Sequence, residues 1–212
     1  MRIGTVTVAG FQCFGPEPTT LLLEPCLTAF VGANGAGKTA LFQALSRLFG
    51  IGISQRAVRK RDFHVPVDAE GLQSEASLSI DVVLGFPELE DDDEEPGDAV
   101  PEFFRQMSAS GPGERLKARM VLRATWTDDG TPEGNIEEDC RWILALDEEY
   151  DWDENCHKVH ASERGAIQLI YIPATRNADA QVSALLKGRL WRSPRRDLAC
   201  PRVGNWYGFR QS

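Results

Sequence analysis

Residues 32–39 read Gly-Ala-Asn-Gly-Ala-Gly-Lys-Thr, which fits the pattern G-x-x-x-x-G-K-[ST] at every position. Glycines at 32, 35 and 37 allow positive φ and let backbone N–H groups turn inward around phosphate oxygens. A helix opening at Lys38 adds the positive end of its dipole. Lys38 is positioned for β- and γ-phosphates, and the Thr39 hydroxyl for magnesium. The flanks suit such a loop. Residues 27–31 (LTAFV) form a short apolar run, which predicts a buried central strand ending at Gly32. Beyond Lys38, Leu41, Phe42, Leu45, Leu48 and Phe49 recur at helical spacing, and Gly50 and Gly52 end the pattern. The motif therefore implies binding of a purine nucleoside triphosphate with magnesium through Gly32, Asn34, Gly35, Ala36, Gly37, Lys38 and Thr39. No NKxD-like element for guanine is present, which favours ATP over GTP.

Moving outward, residues 2–8 (RIGTVTV) and 19–23 (TTLLL) read as an antiparallel pair around a Gly-Pro turn at 15–18. Residues 53–75 read as loop with a short helix. Leu78, Ile80, Val82 and Leu84 share one strand face. Leu116, Ala118, Met120, Leu122, Ala124 and Trp126 share another, with Lys117, Arg119 and Arg123 turned away, and Cys140, Trp142, Leu144 and Leu146 alternate after them. Together these segments predict an antiparallel meander with one wet face. Residues 167–172 (IQLIYI) read as one more buried strand, and 178–190 as a helix. The expected fold is thus α/β: a P-loop NTPase of ABC/SMC-head type, with a central sheet around strand 27–31 plus an antiparallel meander, and incomplete. The ATPase part is expected over 1–192, with 87–114 a flexible acidic insertion and 193–212 an irregular tail.

The 212 residues are 42% hydrophobic and 26% charged, a globular composition with enough chain for a core. No run approaches the ~18 apolar residues of a membrane span. The N-terminus lacks a secretory pattern, and five scattered cysteines without a CxxC pair suit reduced thiols, so a cytoplasmic protein is expected. Cys156, His157 and His160 match no standard zinc spacing. The net charge of −9 is concentrated at 88–95 (ELEDDDEE) and 147–154 (DEEYDWDE), while basic residues cluster at 56–61 (RAVRKR) and 187–196. DNA contact is neither required nor excluded by that distribution, because local clustering sets local potential.

The stretches MRIGTVTVAGFQCFG and FVGANGAGKTALFQALSRLFG resemble the N-terminal half of the ATPase head in OLD-family nucleases, relatives of RecF, SMC proteins and ABC ATPases. RDFHVP at 61–66, LIYIPATRNAD at 170–179 (the run beginning at Leu169) and LLKGRLWR at 185–192 add to the resemblance, which runs intermittently from residue 1 to about 192. It implies a head that binds ATP and magnesium between two protomers, hence a homodimer or higher oligomer, in a protein that acts on DNA through a C-terminal Toprim nuclease domain. That domain is not within this sequence. An ABC-type site also needs an acidic strand end and a serine-glycine signature from the partner protomer. The sequence offers Asp147 and Glu148 after Ile143–Leu146 as catalytic acids, but the alternation of 140–146 favours a half-exposed antiparallel strand. SASGPG at 108–113 is a broken signature. The residues after 192 match nothing expected of the family, so truncation or frame-shift near residue 193 is expected.

Asp62, after Arg56, Arg59, Lys60 and Arg61, is a further candidate near magnesium, against a surface-loop reading. Arg176 and the segment 187–196 are candidates for phosphate or DNA contact, against a salt bridge and a solvated tail. Trp126, Trp142 and Trp152 read as packing residues. Three functions follow for comparison: the ATP-binding ATPase domain of an OLD-type DNA-processing protein, a non-catalytic nucleotide-binding or assembly module, and a small P-loop kinase.

Overall fold

The computed structural model describes residues 1–69, 73–86, 115–147 and 150–160, with 107–108, 163–164, 167 and 169–171. The acidic insertion at 87–114 apart from 107–108, Glu148, Arg176, the helix expected at 178–190, the basic segment 187–196 and the tail 193–212 lie outside the described residues.

Strands β1 (Arg2–Ala9), β2 (Thr19–Leu22), β3 (Glu75–Gly85), β4 (Met107–Ser108), β5 (Lys117–Thr127), β6 (Asn135–Ile143) and β7 (Cys156–Lys158) form one sheet in the order β2-β1-β3-β5-β6-β7. Every pairing in it is antiparallel, and β4 joins β5 at Ala118 and Lys117, past the end of the β6 ladder. The two-residue periodicity read from the sequence decides which face is buried. Val6 and Val8 of β1, Leu78, Ile80, Val82 and Leu84 of β3, and Met120, Leu122, Ala124 and Trp126 of β5 all point into one core. Registered pairs Val82–Met120, Ile80–Leu122 and Met120–Trp142 carry that face from strand to strand.

Helix α1 (Lys38–Phe49) covers the core face, burying Leu41, Ala44, Leu45, Leu48 and Phe49. Phe42, included in the expected stripe, is 36% exposed and meets Phe30 edge-to-face and Tyr171 in a stack. Gly50 caps the helix by donating its N–H to the Ser46 carbonyl. A short helix α2 (Ile53–Arg56) and a 3₁₀ turn at Lys60–Asp62 follow.

Two expected strands are corrected. Residues 27–31 belong to no strand, with Leu27 80% and Val31 95% exposed. A buried strand of a parallel sheet needs hydrogen-bonded neighbours on its edges, and no described residue pairs with 27–31. Around 167–172 the described residues contribute only a parallel bridge, Leu169 to Gly50, and Ile170 is 43% exposed. The fold class stands without those strands: a phosphate loop and its helix set on an antiparallel sheet, an incomplete P-loop NTPase fold.

The wet face of the meander is partly covered. The segment after β6 folds back across it, so that Tyr150 lies under Arg119 and Trp152 under both Arg123 and Arg141. Arg119 is buried there rather than solvated, paired with Asp81 at 2.6 Å. Burial opposes its charged form, yet the Asp81 carboxylate outweighs that and raises its pKa above the usual arginine value.

Candidate phosphate-loop site

Residues 34–37 of the loop and the first turn of α1 line a cavity of about 270 Å³ together with Gln12 and Cys13. Asn34, Gly35, Ala36, Gly37, Lys38 and Thr39 are all on its wall, as the motif requires, whereas Gly32 sits just outside it and accepts a 2.7 Å hydrogen bond from Lys38 Nζ. Gly35 and Gly37 have φ of 87° and 85°, the left-handed region the sequence reserved for glycine. At Gly37 a Cβ would also press on Cys13 Sγ at 3.1 Å. Lys38 Nζ donates a second bond to the Ala33 carbonyl at 2.8 Å. Those two carbonyls hold the ammonium on the rim of the cavity, where phosphate oxygens would compete for it.

The donor set suits a polyphosphate. The first turn of α1 leaves N–H groups without intrahelical partners, and no acidic side chain stands in that turn to repel an anion. For magnesium the cavity offers the exposed Thr39 hydroxyl, and among the described residues no carboxylate lines it.

The sequence reading missed Gln12 and Cys13. Gln12 has φ of 50°, the one non-glycine residue with positive φ among the described residues. A strained backbone of this kind persists only where its surroundings hold it. Here Gln12 N–H donates to the Asp62 carbonyl at 2.8 Å, and His64 Nδ1–H donates to the Gln12 carbonyl at 2.6 Å. The Gln12 amide bonds to Gln43 of α1 and reaches Asp62 Oδ1 at 3.5 Å. These residues are adjacent in GFQCFG, but nothing in a lone sequence signals a left-handed glutamine.

Asp62 is neither among the residues lining the cavity nor on the surface. It is 0% exposed, and Arg47 Nε and Nη2 engage its two oxygens at 2.7 and 2.9 Å, while Arg59 N–H adds a third bond at 2.9 Å. With both oxygens engaged by a guanidinium fork, Asp62 orders the loop beside Gln12. Asp147 follows an antiparallel strand, the reading that the alternation at 140–146 favoured. Strand β6 is antiparallel to β5, ends at Ile143, and leaves Asp147 exposed on the following loop, where its carbonyl accepts a bond from Arg119. It does not line the cavity.

Cys13 allows a direct check of the site. Burial pushes the Cys140 thiol up to about 11, so at pH 8 only about a thousandth of it is thiolate, the reactive form. Cys13 and Cys26 are exposed. Iodoacetamide should therefore label Cys13 and Cys26 and spare Cys140, as read by peptide mass spectrometry. Added ATP with magnesium should slow labelling of Cys13 and leave Cys26 unchanged; equal protection of both would separate Cys13 from the nucleotide cavity.

Residues 5–107 match the family model described as AAA domain. The matched span, just under half of the chain, includes the phosphate loop and its helix. Among curated relatives, the chromosome partition protein Smc of Mycolicibacterium paratuberculosis is 44% identical over 50 residues, 24% of this chain and 4% of that protein. Smc of Rhodopseudomonas palustris is 33% identical over 86 residues, 41% of this chain and 7% of that protein. The chain thus spans only a small part of the length of these relatives. Among solved structures, one of SMC ATPases, described for ATP-driven dimerization and DNA-stimulated activation, aligns with a TM-score of 0.47 at 16% identity, over 86% of this chain and 91% of that one. An Smc head bound to the C-terminal winged-helix domain of ScpA aligns at 0.43 and 18% identity, over 79% and 40%. No helix of the described residues is long and apolar enough to cross a membrane.

Proposed function

We propose that this chain is the ATP-binding part of a DNA-processing ATPase of OLD type, working as a dimer of heads with magnesium. The observation that carries the reading is the cavity at Gly35–Thr39, with left-handed glycines at 35 and 37 and Lys38 on its rim. The GFQCFG and GANGAGKT stretches support the OLD-type assignment by resemblance. The short regions shared with chromosome partition proteins support work on DNA.

Turnover requires an acid to position water and a second protomer to stabilise charge. Among the described residues no carboxylate lines the cavity, and Asp147 is not part of its lining. That observation favours a second reading, a nucleotide-binding module that does not hydrolyse ATP by itself. A phosphate-release assay with and without DNA, run beside an ATP-binding titration, decides between them. DNA-stimulated release supports the first reading, saturable binding with no release supports the second, and absence of binding overturns both.

A further inference from the structure

The outer face of the sheet carries three arginines interleaved with two aromatic rings, and one of the three differs from the others. Arg119 is paired with Asp81 at 2.6 Å, and Arg141 with Asp139 at 2.7 Å and Asp153 at 3.1 Å. Arg123 has no carboxylate within ion-pair distance among the described residues. Asp139 stands directly across from it on β6, with Oδ2 engaged by Arg141 and Oδ1 buried without a hydrogen-bond partner among the described residues. The Arg123 guanidinium lies 4.0 Å from the Trp152 ring centroid and 5.6 Å from that of Tyr150, and Nη2 makes a single long bond of 3.3 Å to the Tyr150 hydroxyl. Stacking fixes the plane of the fork while leaving most of its five N–H donors unused.

Arg123 is also one of the residues that line a second cavity, of about 340 Å³, on the wet face of β3 and β5. The register places Ser79 opposite Arg123 and Ser77 opposite Thr125, so three hydroxyl residues share the face and the cavity of Arg123. Gly10 and Pro16 wall the other side. The next carboxylate along this row, Glu137, stands across from Thr125 on β6 and takes a bond from the Asn135 amide.

We propose that Arg123, with the hydroxyls of Ser77, Ser79 and Thr125, forms a binding site for a phosphate group, separate from the phosphate loop. A planar fork with unused donors selects an oxyanion that accepts two parallel bonds. Three neighbouring hydroxyls can donate to its remaining oxygens, which a tetrahedral phosphate has and a carboxylate lacks. The phosphate can belong to a free phosphate ion or to a nucleic-acid backbone.

The test uses the full chain carrying Lys38→Ala, so that the phosphate loop contributes little, at constant ionic strength. Sodium phosphate, and separately an oligothymidylate, are titrated while the Trp152 indole and Arg123 Nε–H signals are followed by NMR. A saturable shift of both signals is expected, weakened at least ~10-fold in Arg123→Gln, about the loss of one charge-assisted contact. Ser79→Ala with Thr125→Val, which leaves the stack intact, should weaken it less but measurably. Tighter binding of the oligonucleotide than of phosphate, retained per phosphate unit, assigns the site to a nucleic-acid backbone; equal affinity per phosphate assigns it to free phosphate. Absence of a saturable shift with either ligand, or shifts unaltered by Arg123→Gln in a chain with unchanged circular dichroism, overturns the proposal.

Discussion

Lys38→Ala is expected to weaken ATP binding by about 100-fold or more while leaving the fold nearly untouched. Each charge-assisted contact from an ammonium to phosphate contributes about 1.5 kcal/mol or more, and two such contacts amount to a factor of about 100 in affinity. Among the described residues Lys38 Nζ bonds to the Gly32 and Ala33 carbonyls alone, at 2.7 and 2.8 Å, and both bonds are exposed. Removing them returns two carbonyls to water, so the stability cost should stay within about 0.5 kcal/mol. The contrast between a large affinity loss and a small shift in urea midpoint is the diagnostic result. It is measured by titration with a fluorescent ATP analogue beside urea unfolding. Equal affinity in the variant would remove the nucleotide assignment. A comparable loss of stability would mean that the lysine acts on the loop instead of on the ligand.

Legibility followed the range of the interactions. The phosphate loop is local: eight consecutive residues set both the left-handed glycines at 35 and 37 and the helix start. The meander was equally readable, because alternation at 78–84 and 116–126 depends only on which face meets the core. Prediction of strand 27–31 failed for the opposite reason. Its apolar run is compatible with a buried strand, but whether it forms a ladder depends on partners distant in sequence, and none of the described residues supplies one. Phe42 shows the same limit, since helical spacing placed it on the buried stripe while Phe30 and Tyr171 draw it to the side. At the site, the residue types at 32–39 announced themselves by chemistry. Gln12 became visible only through its backbone angle and its bonds to residues 31 to 52 positions away. The pairing of Asp62 was not legible, because an aspartate after a basic run has no sequence mark that names an arginine 15 residues earlier as its partner.

The Arg47–Asp62 pair carries the largest expected effect on stability. Asp62 is fully buried and Arg47 8% exposed at the side chain, so neither charge can recover hydration when its partner is removed. Breaking one side of such a pair costs about 3–5 kcal/mol, a large part of the ~5–15 kcal/mol that holds a domain folded. Asp62→Ala should accordingly lower the urea midpoint steeply, and the loss should be the same in EDTA as in magnesium, because both carboxylate oxygens serve Arg47 rather than a metal. The double variant Arg47→Met, Asp62→Leu removes both charges and refills the space with apolar atoms. It should be more stable than Asp62→Ala alone, since replacing a buried pair by hydrophobic residues is often neutral or favourable. Nucleotide binding separates the two roles that converge here. The double variant still lacks the acceptor that Gln12 reaches toward and the Arg59 N–H bond, so it should regain midpoint while ATP affinity stays lowered. If affinity recovers together with stability, Asp62 reaches the nucleotide cavity only through the fold. If stability changes only in the presence of magnesium, the carboxylate is a metal ligand after all.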